Sequence, residues 1–152
     1  MTDIYTLFPN FKKTMPEFIN QNNIFVVYGI DLDPLATSYT TYKKLKEKGM
    51  KVYAVNSKDE ISGDKIYHNL NSLPEKPDVI CIATKPQDTL EVLKNILQQG
   101  TYKIWIEIGS ETSEAINFCK DNNINFIYYH SLIKELTNPT AEELRDLGKE
   151  IS

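Results

Sequence analysis

Short runs of hydrophobic residues alternate along this chain with longer stretches in which hydrophobic and polar residues recur at helical spacing. A short unbroken hydrophobic run is typical of a strand that is buried on both faces of a parallel sheet. The runs predict five strands, at residues 24–28, 51–55, 78–83, 103–107 and 125–129. The amphipathic stretches between them predict helices at residues 37–49, 86–100 and 111–121.

Strands that alternate with helices predict an α/β fold. We expect a Rossmann-like three-layer sandwich in which a five-stranded parallel sheet carries helices on both faces. Thr37 or Ser38 can cap the first of these helices, and Gly49 can end it. The 152 residues fit one domain. Residues 1–21 are predicted to be a helical lead-in, and residues 137–152 a helical extension with its helix at 140–149.

The residues that follow the strands define the predicted ligand site. In open α/β sheets, ligands bind outside the carboxyl ends of the strands, where the strand order reverses. The first strand leads into Gly29, Ile30 and Asp31, and the second leads into Asn56 and Lys58. The third and fourth strands lead into the residues Ala83, Thr84, Lys85 and Pro86 and the residues Ile108, Gly109 and Ser110. We expect all four segments to meet at one edge of the sheet.

These segments do not carry the dinucleotide fingerprint, which needs three glycines after the first strand and an acidic residue after the second. Gly29 is present, but Asp31 stands where the second glycine belongs. Asn56 stands where the acidic partner of the ribose belongs. The residues therefore disfavour an NAD-dependent enzyme or sensor, which we keep as the third of three functional hypotheses.

Composition and charge exclude several other classes. Hydrophobic residues make up 41% and charged residues 25% of the chain, as in an ordinary globular protein. The formal net charge of −4 and the single arginine, Arg145, argue against a nucleic-acid partner. No hydrophobic run approaches the ~20 residues that span a bilayer, and no signal peptide is evident. We therefore expect a cytoplasmic protein without a membrane partner. Cys81 and Cys119 are expected to be buried and unreactive.

Catalytic residues are not evident in the pattern. Neighbouring residues on an extended segment point to opposite sides, so His130 and Ser131 do not form a nucleophile and base. Glu107 ends a strand, but no partner for it is visible, and it is expected to be a satisfied or solvent-facing carboxylate. Trp105, inside a hydrophobic run, is expected in the core. The sequence thus leans towards a binding protein and leaves catalysis open.

Seven segments, in their order and spacing, resemble a known family. They are residues 28–30, 37–39, 48–56, 63–67, 73–78, 82–86 and 105–109. Together they resemble the CoA-binding domain family, the Rossmann-type domain that stands alone in small bacterial proteins. A similar domain forms the N-terminal part of the succinyl-CoA synthetase alpha subunit. The resemblance runs from about residue 22 to about residue 136 and implies CoA or acyl-CoA as the ligand.

The resemblance also implies a role for each strand end. Gly29, Ile30 and Asp31 would let the backbone approach CoA, while Thr37, Ser38 and nearby amides would receive phosphate. Asn56 and Lys58 would line the nucleotide. The pantetheine arm would be bordered by the segment Thr84, Lys85 and Pro86, and Gly109 would leave room for it.

Three positions depart from the family's pattern. Asp31 stands where the family commonly has a small hydroxyl residue, Ala36 and Thr37 stand where an arginine is frequent, and Ser131 stands where a cysteine is frequent. The departures support an alternative function, in which a regulatory or interaction domain carries a degenerate CoA site. A homodimer through the terminal segments is open in either case.

Overall fold

In the computed structural model, which describes residues 16–30, 36–56, 60–61, 64–100 and 102–137, a seven-stranded sheet forms the centre of the protein. Its strands are β1 (Ile24–Tyr28), β2 (Lys51–Val55), β3 (Glu60–Ile61), β4 (Asp64–Tyr67), β5 (Val79–Ile82), β6 (Lys103–Ile106) and β7 (Phe126–Ile127). They lie in the order β3-β4-β2-β1-β5-β6-β7. The chain therefore moves outward from β1 in one direction and then, starting at β5, in the other.

The strand count differs from the prediction, although the Rossmann-like fold is confirmed. Six strands in the described residues run parallel, and β3 adds a short antiparallel strand beside β4. The additional parallel strand is β4, which pairs with the end of β2 through Ile66 and Tyr67. Of these two residues, Ile66 is buried and Tyr67 is partly buried. This short strand, Asp64–Tyr67, has no continuous hydrophobic run, so the sequence pattern missed it.

Helices cover both faces of the sheet. They are α1 (Thr37–Glu47), α2 (Pro86–Gln99), α3 (Ser113–Asp121) and α4 (Leu132–Thr137). On one face, Leu45 of α1 and Leu132 of α4 share a core with Phe25 and Trp105. On the other, Leu93 of α2 and Cys119 of α3 share a core with Ile80 and Ile104. The predicted core position of Trp105 and the burial of both cysteines are confirmed.

Both ends of the chain lie partly outside the described residues. Residues 16–18 are helical, as predicted for the lead-in, but Thr14 lies outside the described residues. The predicted helix at residues 140–149 lies outside them as well. The sequence pattern does not predict the helix at residues 132–137, which form α4 and bury Leu132 and Leu136 against the core. The single domain over residues 1–152 stays a prediction.

The start of α1 differs from the prediction in its cap. Ala36 is the N-cap residue, so neither Thr37 nor Ser38 caps the helix. In α3, by contrast, the Thr112 hydroxyl accepts a hydrogen bond of 3.0 Å from the Ala115 amide. A threonine hydroxyl therefore caps α3, whereas none caps α1.

Removing the Thr112 hydroxyl should destabilise the protein by about 1 kcal/mol, because Thr112→Ala leaves a helix amide without its acceptor. Thr112→Ser keeps the acceptor and should cost only a small part of that. Thr37 is exposed at the first helical position, so Thr37→Ala should change the free energy of unfolding by less than about 0.5 kcal/mol. Urea unfolding measures all three; equal losses for Thr112→Ala and Thr37→Ala would contradict the assigned caps.

Candidate functional site

Gly29 lies where the sheet reverses its strand order, and it packs closely against the loop after β5. Its φ of +88° is in the left-handed region, which favours glycine. A Cβ atom added there would lie 2.8 Å from Cγ2 of Thr84 and 3.2 Å from the carbonyl carbon of Ala83. The end of β1 and the end of β5 therefore meet with no room for a side chain between them.

Ile30 and Asn56 join the end of β1 to the end of β2. The Asn56 side-chain amide donates a hydrogen bond to the Ile30 carbonyl, and the Gly29 amide donates to the Val55 carbonyl over 2.8 Å. Ile30 itself is buried. Asn56 thus fixes the backbone that leaves Gly29, at the place where a dinucleotide-binding domain has its acidic ribose partner.

Three hydroxyl side chains join the end of β5 to the turn after β6. Oγ1 of Thr84 lies 2.7 Å from Oγ1 of Thr89, and the Thr89 hydroxyl donates to the Ser110 carbonyl over 2.6 Å. The Ser110 hydroxyl donates in turn to the Thr84 carbonyl over 2.7 Å. Thr89 has one hydroxyl proton, and it donates that proton to the Ser110 carbonyl. In the bond between the two threonine hydroxyls, Thr84 is therefore the donor and Thr89 the acceptor. The Thr84 hydroxyl is therefore directed into this ring of bonds.

The remaining predicted residues of these two segments lie at the surface. Lys85 is the exposed N-cap residue of α2, and exposed Pro86 occupies the first turn. Gly109 is exposed with φ of +96°, and an added Cβ would meet no atom within 4 Å. Its amide donates to the Glu111 carboxylate over 2.8 Å. Gly109 is thus required for its backbone conformation, and the space beside it is open.

The N-terminus of α1 follows the loop that begins at Gly29. Its N-cap is Ala36, whose methyl group cannot accept a hydrogen bond, and its first turn contains no acidic residue. Thr37 is exposed and Ser38 is buried. An α-helix carries a partial positive charge at this end. The described part of this helix end therefore suits an anion.

The structure brings most of the predicted residues to one edge of the sheet. Gly29 contacts Thr84, Ile30 is bonded to Asn56, and Thr84 is bonded to Ser110 beside Gly109. Asp31 and Lys58 lie outside the described residues. Whether any of these residues binds a ligand stays a prediction.

Among the described residues of this edge, Glu107 is a buried acidic group. It is 5% exposed and follows β6 directly, and its carboxylate accepts a hydrogen bond of 3.1 Å from the Cys81 thiol. Burial raises the pKa of Glu107 to about 7, against the opposing effect of that hydrogen bond. Burial also raises the pKa of the Cys81 thiol far above its usual value. The thiol is therefore neutral at physiological pH and a poor nucleophile.

Ser131 and His130 have structural partners. The Ser131 hydroxyl accepts a hydrogen bond of 3.2 Å from the Lys134 amide at the start of α4. The His130 ring is paired with Glu135, and its carbonyl accepts from the Trp105 indole over 3.0 Å. In the residues that the structure describes, no three histidine, cysteine or acidic side chains gather as metal ligands would.

Fold and site together define an open, doubly wound α/β domain in which the carboxyl ends of β1, β2, β5 and β6 lie along one edge of the sheet. The family comparison makes this class specific. A CoA binding domain model matches residues 23–137, so the chain belongs to the CoA-binding domain family, as its sequence indicated. The comparison with curated proteins gives no significant match. Within the described residues, no helix is both long and apolar enough to cross a membrane.

Several solved structures are similar to this chain. A conserved hypothetical protein from Pyrococcus furiosus has 28% identity and a TM-score of 0.69, with 74% of this chain and 98% of that one covered. A hypothetical protein from Pyrococcus horikoshii has 21% identity and a TM-score of 0.68, covering 84% and 87%. A Thermus thermophilus protein has 19% identity and a TM-score of 0.64, covering 89% and 99%. The last two likenesses support the fold alone.

Proposed function

We propose that this chain is a binding protein for CoA, with its ligand in the crevice where β1, β2 and β5 end. The observation that carries the proposal is the joining of three strand ends around Gly29 within a chain of the CoA-binding domain family. The proposed ligand contacts are Gly29, Ile30, Asp31, Thr37, Ser38, Asn56, Lys58, Thr84, Lys85, Pro86 and Gly109.

The phosphates of CoA would bind at the N-terminus of α1. Backbone amides and the helix dipole favour an anion there, and neither a capping side chain of Ala36 nor an acidic side chain of the first turn competes with it. Asn56 would contribute by holding the Ile30 carbonyl, and so the path of the loop that follows Gly29.

The pantetheine arm would run across the ends of β5 and β6. Because the Thr84 hydroxyl is directed towards Thr89, we expect the backbone of residues 84–86, rather than that hydroxyl, to border the arm. Exposed Lys85 can reach a phosphate of the ligand, and the open space beside Gly109 leaves room for the arm. This path uses the edge of the sheet from β1 towards β7.

A charge placed at Ala36 tests the phosphate site directly. Ala36→Asp should weaken CoA binding by at least about tenfold, since a carboxylate at the N-cap occupies and repels the anion site, yet it should stabilise the helix itself. Ala36→Asn has nearly the same shape without the charge and serves as the matched control. Calorimetric titration with CoA measures the affinity, and thermal unfolding without ligand measures the fold.

Two results would count against the proposal. Absence of both heat and thermal stabilisation with millimolar CoA would exclude binding of even about 4 kcal/mol, and would favour the degenerate-site alternative. Equal CoA affinities for Ala36→Asp and Ala36→Asn would place the phosphates away from α1.

A further inference from the structure

A hydrophobic cavity adjoins a polar groove at the amino ends of β5 and β6, the edge of the sheet opposite the proposed CoA site. The cavity encloses about 70 Å³ and the groove about 460 Å³. Tyr102 and Asn123 line both, so the two spaces are continuous. Lys103 in the groove is four residues before Glu107, which corresponds to roughly 13 Å along β6. The cavity and the groove are therefore separate from the proposed CoA site.

The cavity suits a small hydrocarbon group. Its walls come from α2, β6 and the segment after α3, and they include Leu93, Ile96, Leu97, Ile104 and Ile124. Three of these side chains, Leu93, Ile96 and Ile104, belong to the hydrophobic core beneath the two helices, which fixes their positions. A cavity of about 150 Å³ with walls of this kind holds benzene, so one of about 70 Å³ suits roughly three or four carbon atoms. An isobutyl group has this size.

Two lysines line the groove, Lys76 and Lys103. Among the described residues, neither forms an ion pair. The Lys76 ammonium group lies 5.3 Å from the centroid of the Tyr102 ring, a distance at which the ring attracts a cation. The Lys103 amide donates a hydrogen bond of 3.0 Å to the Asp78 carbonyl, which fixes the backbone below the groove. A positive charge therefore lies on the ring that the cavity and the groove share.

The carboxylates near the groove have hydrogen-bond donors within the protein. The Asp78 carboxylate accepts a hydrogen bond of 2.8 Å from the Ile24 amide at the start of β1. The Glu17 carboxylate accepts one of 3.3 Å from the Asn125 side chain. The two lysines have no such carboxylate partner in the described residues. The charge of the groove is therefore complementary to an anion.

We propose that this amino-edge site, the cavity and groove that share Tyr102 and Asn123, binds a short branched carboxylate. The hydrocarbon end of the ligand fills the cavity, and its carboxylate binds the ammonium groups of Lys76 and Lys103. The groove of about 460 Å³ lies within the range of about 300–1,000 Å³ that is typical of small-molecule sites. The inference goes beyond the proposed function, because it concerns a second ligand at the opposite edge of the sheet.

Isovalerate is the probe, because its isobutyl group has the size of the cavity. Titration of the isotope-labelled full chain, followed by NMR, should shift the amide signals of Gly100, Ile104 and Ile124 until they saturate. The amide signals of Gly29 and Gly109, which line the proposed CoA site, should not move. Isovalerate should bind at least about tenfold more tightly than acetate, since each buried carbon gains about fourfold. It should bind roughly fivefold more tightly than isovaleramide, which has the same shape without the charge.

Removing both ammonium groups should abolish the preference for the charged ligand. The double variant Lys76→Gln/Lys103→Gln should bind isovalerate and isovaleramide equally well, and it should bind isovaleramide as the original protein does. Lys94→Gln is the matched control, because Lys94 is exposed in the middle of α2 and lies outside the amino-edge site. It should keep the roughly fivefold preference. None of the three lysines is buried, so the variants should fold.

The possible outcomes decide each part of the inference. Absence of saturable shifts with millimolar isovalerate, or an equal affinity for acetate, would mean that the cavity does not take the hydrocarbon group. Equal affinities of the original protein for isovalerate and isovaleramide would exclude the lysines as its partners. The same amide shifts on raising the protein concentration alone would assign the surface to a second copy of the chain and overturn the inference. Saturating CoA should leave the isovalerate affinity unchanged, and a failure of CoA binding would leave this inference standing.

Discussion

Glu107→Gln should stabilise the protein at pH 8 by about 2 kcal/mol and flatten the pH dependence of its free energy of unfolding. Burial raises the pKa of Glu107 from 4.5 to about 7. The folded protein therefore holds this proton up to a higher pH than the unfolded chain does. The resulting stabilisation is complete below about pH 4.5 and is lost as the pH rises through about 7.

The size of this effect follows from the same linkage. A rise in pKa from 4.5 to about 7 corresponds to at most roughly 3 kcal/mol. Glutamine stays neutral, so it does not incur this loss, but its amide hydrogens need acceptors in a buried place, which reduces the gain. Urea unfolding at pH 5 and pH 8 measures both values. The original protein should lose stability between the two, and the variant should not.

Glu91→Gln is the matched control, since Glu91 is exposed in the middle of α2. It should change the free energy of unfolding by less than about 0.5 kcal/mol at either pH. If the original protein and Glu107→Gln show the same difference between pH 5 and pH 8, Glu107 is ionised in the folded protein at both values, and its assigned burial is wrong.

The parts of the fold that the sequence predicted are those that bury continuous hydrophobic runs. β1 and β5 lie at the centre of the sheet with strands on both sides, so every side chain faces one of the two cores and the run is unbroken. β4 has a parallel neighbour, β2, on one side only, and only two residues of β7 pair with β6. At these edges the pattern is too weak to count strands or set their limits.

The site was predictable in its position and not in its hydrogen bonds. The carboxyl ends of parallel strands must meet, so Gly29, Asn56 and Thr84 could be placed together without a structure. The direction of the Thr84 hydroxyl depends on Thr89, a helix residue that no strand-end argument includes. The Cys81–Glu107 contact likewise joins two strands that are far apart in the chain, and only the register of β5 against β6 brings them together.

Gly29→Ala should destabilise the protein by about 2–5 kcal/mol, the second large effect that we expect. A positive φ costs a residue with a Cβ about 1–2 kcal/mol, and overpacking adds roughly 1–3 kcal/mol. The added Cβ would lie 2.8 Å from Cγ2 of Thr84 and 3.2 Å from its Cα. Gly109→Ala is the control: its φ is also positive, but its Cβ would meet nothing within 4 Å, so it should cost only the conformational part.

Thr84→Ser separates the two causes of the loss in Gly29→Ala, which are the positive φ and the contact of the added Cβ with Thr84. It removes Cγ2, the nearest atom to the added Cβ, and keeps the hydroxyl that bonds to Thr89. The double variant Gly29→Ala/Thr84→Ser should therefore be more stable than the sum of the single losses predicts, by at least about 0.5 kcal/mol. Gly109→Ala combined with Thr84→Ser should be additive. Additivity in both pairs would mean that the end of β1 does not press on the end of β5, and the two strand ends would then lie farther apart than the structure has them.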